Sequence, residues 1–262
     1  MKFAFKSLVV AAAFVAAGAA SAATLTVGDN TSTLAGLYAA SGTGTLTFSQ
    51  TLIDALNTGG VAVQAVGGAT SNIVGDAGAY TAVGVGAPVT TLNVDAGGNI
   101  TQAQSIGGAQ QIAGAVKGVS YGGQVSVTNL RIDMVNKNIY ADFLGAGKNS
   151  AGATVNVNAT NVLAWTFSTI TGPTAVSGVG TYDTVLSGLS LTTDGFNNLK
   201  NGLGLYSIGL IALQGASADF GTLTSSITVA AAPVASVPEP STYALMGVGL
   251  VGIGLVARRR AK

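Results

Sequence analysis

The chain reads as an all-β protein: an antiparallel, sandwich-like body with one or two short helices, set between an N-terminal signal peptide and a C-terminal transmembrane helix. Three observations predict this. Apolar and polar residues alternate with a period of two over short runs, the pattern of strands with one buried face. Glycine, at 38 residues, punctuates those runs together with Asn and Thr, as turn chemistry requires. Hydrophobic residues make up 48% of the chain and charged residues 8%, a balance that buries a core rather than staying disordered.

Residues 1–22 read as a secretory signal peptide. Lys2 and Lys6 supply its positive start, Leu8 to Ala17 its apolar stretch, and Ala20-Ser21-Ala22 the small residues of a signal-peptidase site. Cleavage is expected after Ala22, with signal peptidase as the first partner.

The secreted, mainly β domain is expected over residues 23–229. Strands are predicted at Leu46–Phe48, Val61–Val66 and Thr90–Val94. Ser49 is placed to cap a helix carrying Leu52, Ile53 and Leu56, with Gly59 ending it. Gln124–Met134 and Ile139–Leu144 form a hairpin about Asn136-Lys137-Asn138, since Asn tolerates positive φ. Val125 and Val127 share one parity, whereas Leu130, Ile132 and Met134 share the other. A bulge near Thr128-Asn129 restores a single buried face. Thr154 to Ser168 alternates well, and Trp165, the only Trp, is read as a core filler. Val185–Leu191 and Leu223–Val229 complete the strands. Asp194 is placed to cap a second helix carrying Phe196, Leu199 and Leu203. Each helix precedes an apolar stretch, Val61–Val66 and Ile208–Leu213, which suggests an internal duplication. Residues 230–236, with Pro233, read as a linker.

Little chemistry is available to this body. The chain has no His and no Cys, which removes the usual triads and dyads, c-type haem attachment and most zinc sites. Between the two ends, nine Asp face five cations, so nothing attracts nucleic acid. The only Glu is Glu239, so an acid–base pair would need two Asp. Asp133 and Asp142, on neighbouring strands, are the pair for an Asp-dependent hydrolase. Asp95 to Asn99 and Asp76-Ala77-Gly78 loosely resemble calcium loops but read better as turns. Tyr121 and Tyr140 are chemically able to ligate haem. The expectation is a protein that is not an enzyme, with no catalytic, metal or cofactor residue assigned. A structural or adhesive role is expected, with a ligand-binding module for haem, glycan or calcium as the alternative.

The tail is the most specific segment. Val237-Pro238-Glu239-Pro240 is followed by an apolar helix over residues 241–257 and by a basic cluster that begins Arg258-Arg259-Arg260. Each Pro fixes its own φ and holds the preceding residue extended. Seventeen residues of helix span about 25 Å, a minimal crossing of a bilayer core of about 30 Å. The arginines should stay cytoplasmic, leaving the body outside the inner membrane. Gly247, Gly249 and Gly252 spell G-x-G-x-x-G, but without a preceding strand the glycines are read as small residues for helix packing.

Taken together, residues 237–262 resemble a PEP-CTERM sorting signal, the family whose members occur in Gram-negative bacteria that make exopolysaccharide. The resemblance implies recognition of Pro238, Glu239 and Pro240 by exosortase, a membrane protease of cysteine-protease type, and removal of the helix near that motif. It implies a transient inner-membrane anchor, a destination at the cell surface or in the extracellular matrix, and a link to exopolysaccharide and biofilm.

Overall fold

The computed structural model describes residues 22–233. Ala20, the motif Pro238-Glu239-Pro240, the apolar run 241–257 and the arginines Arg258, Arg259 and Arg260 lie outside the described residues. Ala22 is exposed immediately before the first strand. Among the described residues, no helix is long and apolar enough to cross a membrane.

Among the described residues, fourteen strands pair antiparallel throughout, and three short helices accompany them. One sheet holds β2 (Leu37–Phe48), β4 (Thr70–Val74), the first half of β5 (Ala82–Val94), β11 (Thr169–Thr171), β12 (Gly180–Ser187) and β14 (Gly221–Ala231), in the order β11-β12-β14-β2-β5-β4. The other holds β1 (Ala23–Thr26), the second half of β5, β6 (Ile100–Ser105), β8 (Ser120–Asp133), β9 (Asn138–Lys148), β10 (Thr154–Thr166) and β13 (Ser190–Leu191). In that sheet β3 (Ala62–Val66) joins through β7 (Gly108–Val116), which pairs with β8. Strand β5 belongs to both sheets: Gly84 to Pro88 pair with β2, whereas Val89 to Val94 pair with β6. The sheets face each other across a core in which Trp165 of one lies 5.2 Å, ring to ring, from Phe220 beside the other. The predicted antiparallel β body is therefore present.

The expected bulge is real. The β8–β9 register shifts between Thr128 and Arg131, and Asn129 takes φ +55°. Val125 and Val127 before it and Ile132 after it are all buried. The hairpin turn falls where the sequence placed it, but the positive φ belongs to Lys137 rather than to an Asn. Its ammonium donates to the Ser168 carbonyl at 2.8 Å and its own carbonyl accepts from Phe167 N–H at 3.1 Å, so tertiary bonds hold the unfavoured residue.

Helix α1 (Gln50–Gly59) starts as predicted: the Ser49 hydroxyl accepts from Leu52 N–H at 3.1 Å. It buries Leu52, Ile53 and Leu56 and ends on Gly60, which takes the left-handed conformation one residue beyond the expected Gly59. Helix α2 (Thr193–Leu203) is capped by Thr192, not Asp194. The Thr192 hydroxyl accepts from Gly195 N–H, while Asp194 sits in the first turn, where the helix dipole favours its charge. The suggested duplication fails. Val61–Val66 supplies β3, but Ile208–Leu213 lies in a third helix, α3 (Ile208–Ala216), packed against α1. The run is apolar on nearly every position, so its period does not distinguish strand from helix. Strand β14 runs to Ala231 and Ala232 N–H still bonds Gly36, so the ordered body extends past residue 230, where the linker was expected.

Candidate functional site

Strands β2 and β14 carry a regular surface of paired side chains. Of their inward positions, Phe48, Leu223, Ile227 and Val229 are buried, whereas Gly44, Leu46 and Ser225 are half-buried. Their outward positions are hydroxyls: Ser41, Thr43, Thr45 and Thr47 on β2, and Thr222, Thr224, Ser226 and Thr228 on β14. The register pairs them directly, Thr47 with Thr222, Thr45 with Thr224, Thr43 with Ser226 and Ser41 with Thr228. On one flank, β12 adds Thr181 and Asp183; on the other, β5 passes with Gly84, Gly86 and Pro88, and β4 adds Thr70 and Asn72. Asp183 is the only charged side chain on these strands.

Thr suits the backbone here because a β-branched side chain fits a pleated surface, and cross-strand Thr pairs stabilise by about 0.2–1 kcal/mol each. The rows follow sheet spacing, about 4.8 Å between strands and about 6.8 Å along them. Gly86 keeps the lattice low at its centre. A Cβ there would sit 3.2 Å from both the Thr45 and Thr70 hydroxyl oxygens. Internal bonding of the array is weak: Thr224 donates to the Thr45 carbonyl at 3.3 Å, and the Thr181 and Thr228 hydroxyls lie 3.4 Å apart. The face thus presents hydroxyl groups and methyl groups together, with almost no charge.

Behind the same strands lies an apolar cavity of about 90 Å³. It sits at the seam between two hydrophobic clusters. Phe48, Trp165, Leu186, Phe220 and Leu223 belong to the larger, and Val89, Leu92 and Ile227 to the smaller. No charged side chain lines it. Its polar wall groups include the Thr184 hydroxyl, which donates to the Pro173 carbonyl at 2.8 Å, and the Tyr182 hydroxyl, which donates to the Gly178 carbonyl at 2.8 Å. Trp165 differs. It is 3% exposed, and its indole N–H is the only fully buried side-chain polar group among the described residues without a hydrogen-bond partner. Leaving such a donor unpaired costs about 1–3 kcal/mol. The sequence marks Trp165 as core but gives no sign of its orphaned N–H, which depends on packing across two sheets.

The other candidates are structurally engaged. The Asp95 carboxylate accepts the N–H groups of Gly97 and Asn99 at 2.8 and 2.9 Å and the Asn99 amide at 2.9 Å. The Asn99 side chain and then its backbone hold this carboxyl below its ordinary pKa. Asp76 lies in a turn closed by Ala79 N–H on its carbonyl at 2.8 Å. Among the described residues, no three acidic groups converge as metal ligands would. Tyr121 stacks on Tyr206 with centroids 4.0 Å apart, and the Arg131 guanidinium covers Tyr140 at 3.9 Å.

The Asp133–Asp142 pair does not assemble. Asp133 faces Asn138 across the ladder, and Asp142 lies four residues farther along β9, about 13 Å away. Glycosidase carboxylates stand about 5–9.5 Å apart. Asp133 instead accepts from Val135 and Asn136 N–H in the hairpin turn, and Asp142 accepts from the Asn129 amide and Asn161 N–H at two bulges.

Residues 236–260 match the PEP-CTERM protein-sorting motif. Among curated proteins, none matches the chain. Two solved structures from Corynebacterium glutamicum are similar in part. The heme binding protein HtaB shares 12% identity at a TM-score of 0.40, over 72% of this chain and 94% of that one. The C-terminal domain of HtaA shares 13% identity at 0.41, over 73% of this chain and 100% of its own.

Proposed function

We propose that this chain, which carries a PEP-CTERM sorting motif at residues 236–260, is an exported protein processed by an exosortase-type membrane protease and delivered to the cell surface or extracellular matrix. The motif match is the observation that carries this reading. Signal peptidase cuts after Ala22. That cut leaves β1 whole, because Ala23 pairs with Val94, whereas a cut one residue later removes the first rung. The 241–257 helix then holds the precursor in the inner membrane, with Arg258, Arg259 and Arg260 on the cytoplasmic side. Exosortase reads Pro238, Glu239 and Pro240 as an extended segment and releases the body.

The role of the body in this proposal is structural and adhesive, not catalytic. Its hydroxyl face on β2 and β14 lies flat against a neutral exopolysaccharide. Thr hydroxyls exchange hydrogen bonds with sugar hydroxyls, and Thr methyls pack on the C–H faces of the rings. The net negative body favours a neutral over an acidic polymer.

Two experiments test the two halves. Glu239→Ala, or deletion of the three arginines, should leave a membrane-retained precursor detected by fractionation and intact mass. Normal release of both variants overturns the sorting reading. The triple variant Thr43→Val, Thr45→Val, Thr224→Val keeps β-branching and loses three hydroxyls. It should co-sediment with an insoluble neutral glucan at least about tenfold more weakly than the unaltered processed protein, and unchanged co-sedimentation removes the face from the proposal.

A further inference from the structure

A sheet leaves the outer backbone groups of its last strand unpaired, and a further strand adds there unless something closes the edge. Several edges of this body are closed. On β1 the Ser32 hydroxyl accepts from Thr26 N–H at 3.0 Å and donates to the Thr24 carbonyl at 2.9 Å. On β3 the Tyr80 hydroxyl accepts from Val63 N–H at 3.2 Å. On β13 the Ser217 carbonyl accepts from Leu191 N–H at 2.7 Å. Strand β10 is closed over its second half only. There β13 pairs with Trp165 and Thr166, and Thr192 donates to the Leu163 and Ala164 carbonyls. The first half, Thr154 to Ala159, pairs with β9 on one side. Among the described residues, no group outside β9 bonds the backbone from Thr154 to Thr160. This stretch also lacks the Pro or charged side chain that commonly blunts an edge.

The sequence of the bare stretch is close to a palindrome. Thr154-Val155-Asn156-Val157-Asn158-Ala159-Thr160 reads the same in both directions except at Val155 and Ala159. Antiparallel strands run in opposite directions, so such a stretch matches a second copy of itself. About a two-fold axis at Val157, Asn156 faces Asn158 of the second copy, Thr154 faces its Thr160, and Val155 faces its Ala159. Thr154, Asn156, Asn158 and Thr160 are exposed on the outer face, whereas Val155, Val157 and Ala159 alternate with them and are wholly or half buried. Each side chain therefore meets one of its own kind, and amides and hydroxyls exchange hydrogen bonds across the pair. An interface of this type is isologous and closes at two copies.

Charge favours the same register. At one end of the stretch, Lys148 donates to the Thr154 hydroxyl at 2.8 Å. At the other, Asp142 accepts from Asn161 N–H at 2.8 Å. Arg131 also reaches Asn161, at 3.1 Å to its side-chain oxygen, but its guanidinium lies over Tyr140. Pairing about Val157 brings the Lys148 end of each copy to the Asp142 end of the other and keeps the two Lys148 apart.

We propose that β10 is a dimerisation edge, through which two copies of this chain pair antiparallel over Thr154–Thr160 and join their β8–β9–β10 sheets. This rests neither on the sorting motif nor on what the hydroxyl face binds. Strands β2 and β14 belong to the other sheet, so each copy keeps that face free. A single strand pair is a small interface, and the dimer is accordingly concentration-dependent.

The chain has no Cys, so single cysteines report the register. Full chains carrying Asn156→Cys are mixed in detergent micelles with full chains carrying Asn158→Cys and oxidised. The mixture should give at least about fivefold more disulfide-linked dimer than either variant alone, because opposite Cβ atoms lie about 4.5–5.5 Å apart and diagonal ones about 7–8 Å. Asn156→Lys together with Asn158→Lys sets like charges opposite each other. It should weaken dimerisation at least about tenfold in sedimentation and leave the circular dichroism spectrum unchanged. Mixing that variant with copies carrying Asn156→Asp and Asn158→Asp should restore the dimer. Equal cross-linking in the three cysteine samples, or none in any, overturns the register. A Lys variant that dimerises as tightly as the unaltered chain assigns the contact to another surface and overturns the role of β10.

Discussion

The two faces of β2 and β14 are built from alternate residues of the same two strands, yet they carry opposite chemistries. Outward lie paired Ser and Thr rows; inward lie Phe48, Leu223, Ile227 and an unfilled gap beside Gly44. A strand changes face at every residue, so two neighbours such as Leu223 and Thr224 answer to different demands. The interior tolerates little change in volume, whereas the exterior tolerates any residue that keeps the pleat. Stability and surface recognition are therefore separable on a single strand.

That separation is open to disruption, beginning with the largest effect. Leu223→Ala should cost about 2–5 kcal/mol in denaturant unfolding, because it removes a buried side chain between the sheets. A loss below about 1 kcal/mol would mean that the cavity already uncouples this wall from the core. Gly42→Val should cost about 1–3 kcal/mol by overpacking against Ile227 and Val89. The same change at Gly44 should be close to neutral, and equal losses at the two glycines would remove the distinction between packed and vacant wall. Thr224→Ala, one residue from Leu223, should change stability by no more than about 0.5 kcal/mol and register mainly in glucan co-sedimentation.

The smallest effect lies away from these faces, at the β8–β9 turn. Burial raises the Asp133 pKa, but the hydrogen bonds from Asn136 and Val135 and the nearby Arg131 charge outweigh it, and the net shift is downward. A depressed carboxyl stabilises the fold at pH values above its unfolded pKa, and that contribution is lost as pH falls through the lower folded value. Acid unfolding followed by circular dichroism should therefore be less steep in Asp133→Asn than in the unaltered protein.

Much of this was legible in the sequence where signals are local. The Ser49 cap, the bulge at Thr128-Asn129 and the buried Trp165 each follow from spacing and residue type. What stayed hidden depends on partners distant in sequence. The Thr rows look like ordinary strand residues until β14 pairs with β2 across more than 170 positions. The space beside Gly44 is set by residues of other strands, since Val89 and Ile227 crowd Gly42 but do not reach Gly44. Asp133 and Asp142 looked close because neighbouring strands were known but their register was not. Ile208–Leu213 became a helix because an all-apolar run satisfies either period and only contact with α1 decides.

One further consequence follows from the place of β14. It is the last strand among the described residues, yet it lies inside its sheet, between β12 and β2. A chain that crosses a membrane N-terminus first delivers this strand after all the others, with the sorting motif only a few residues behind. Until it arrives, β2 and β12 have no common neighbour, and neither the hydroxyl rows nor the cavity wall is complete. Pairing across such sequence distance is slow to form. On the proposed route of export, the body would therefore close late in translocation, about when the tail reaches the bilayer. On that route, the membrane anchor would then act as a timer, keeping an unfinished sheet at the membrane until its central strand is in place.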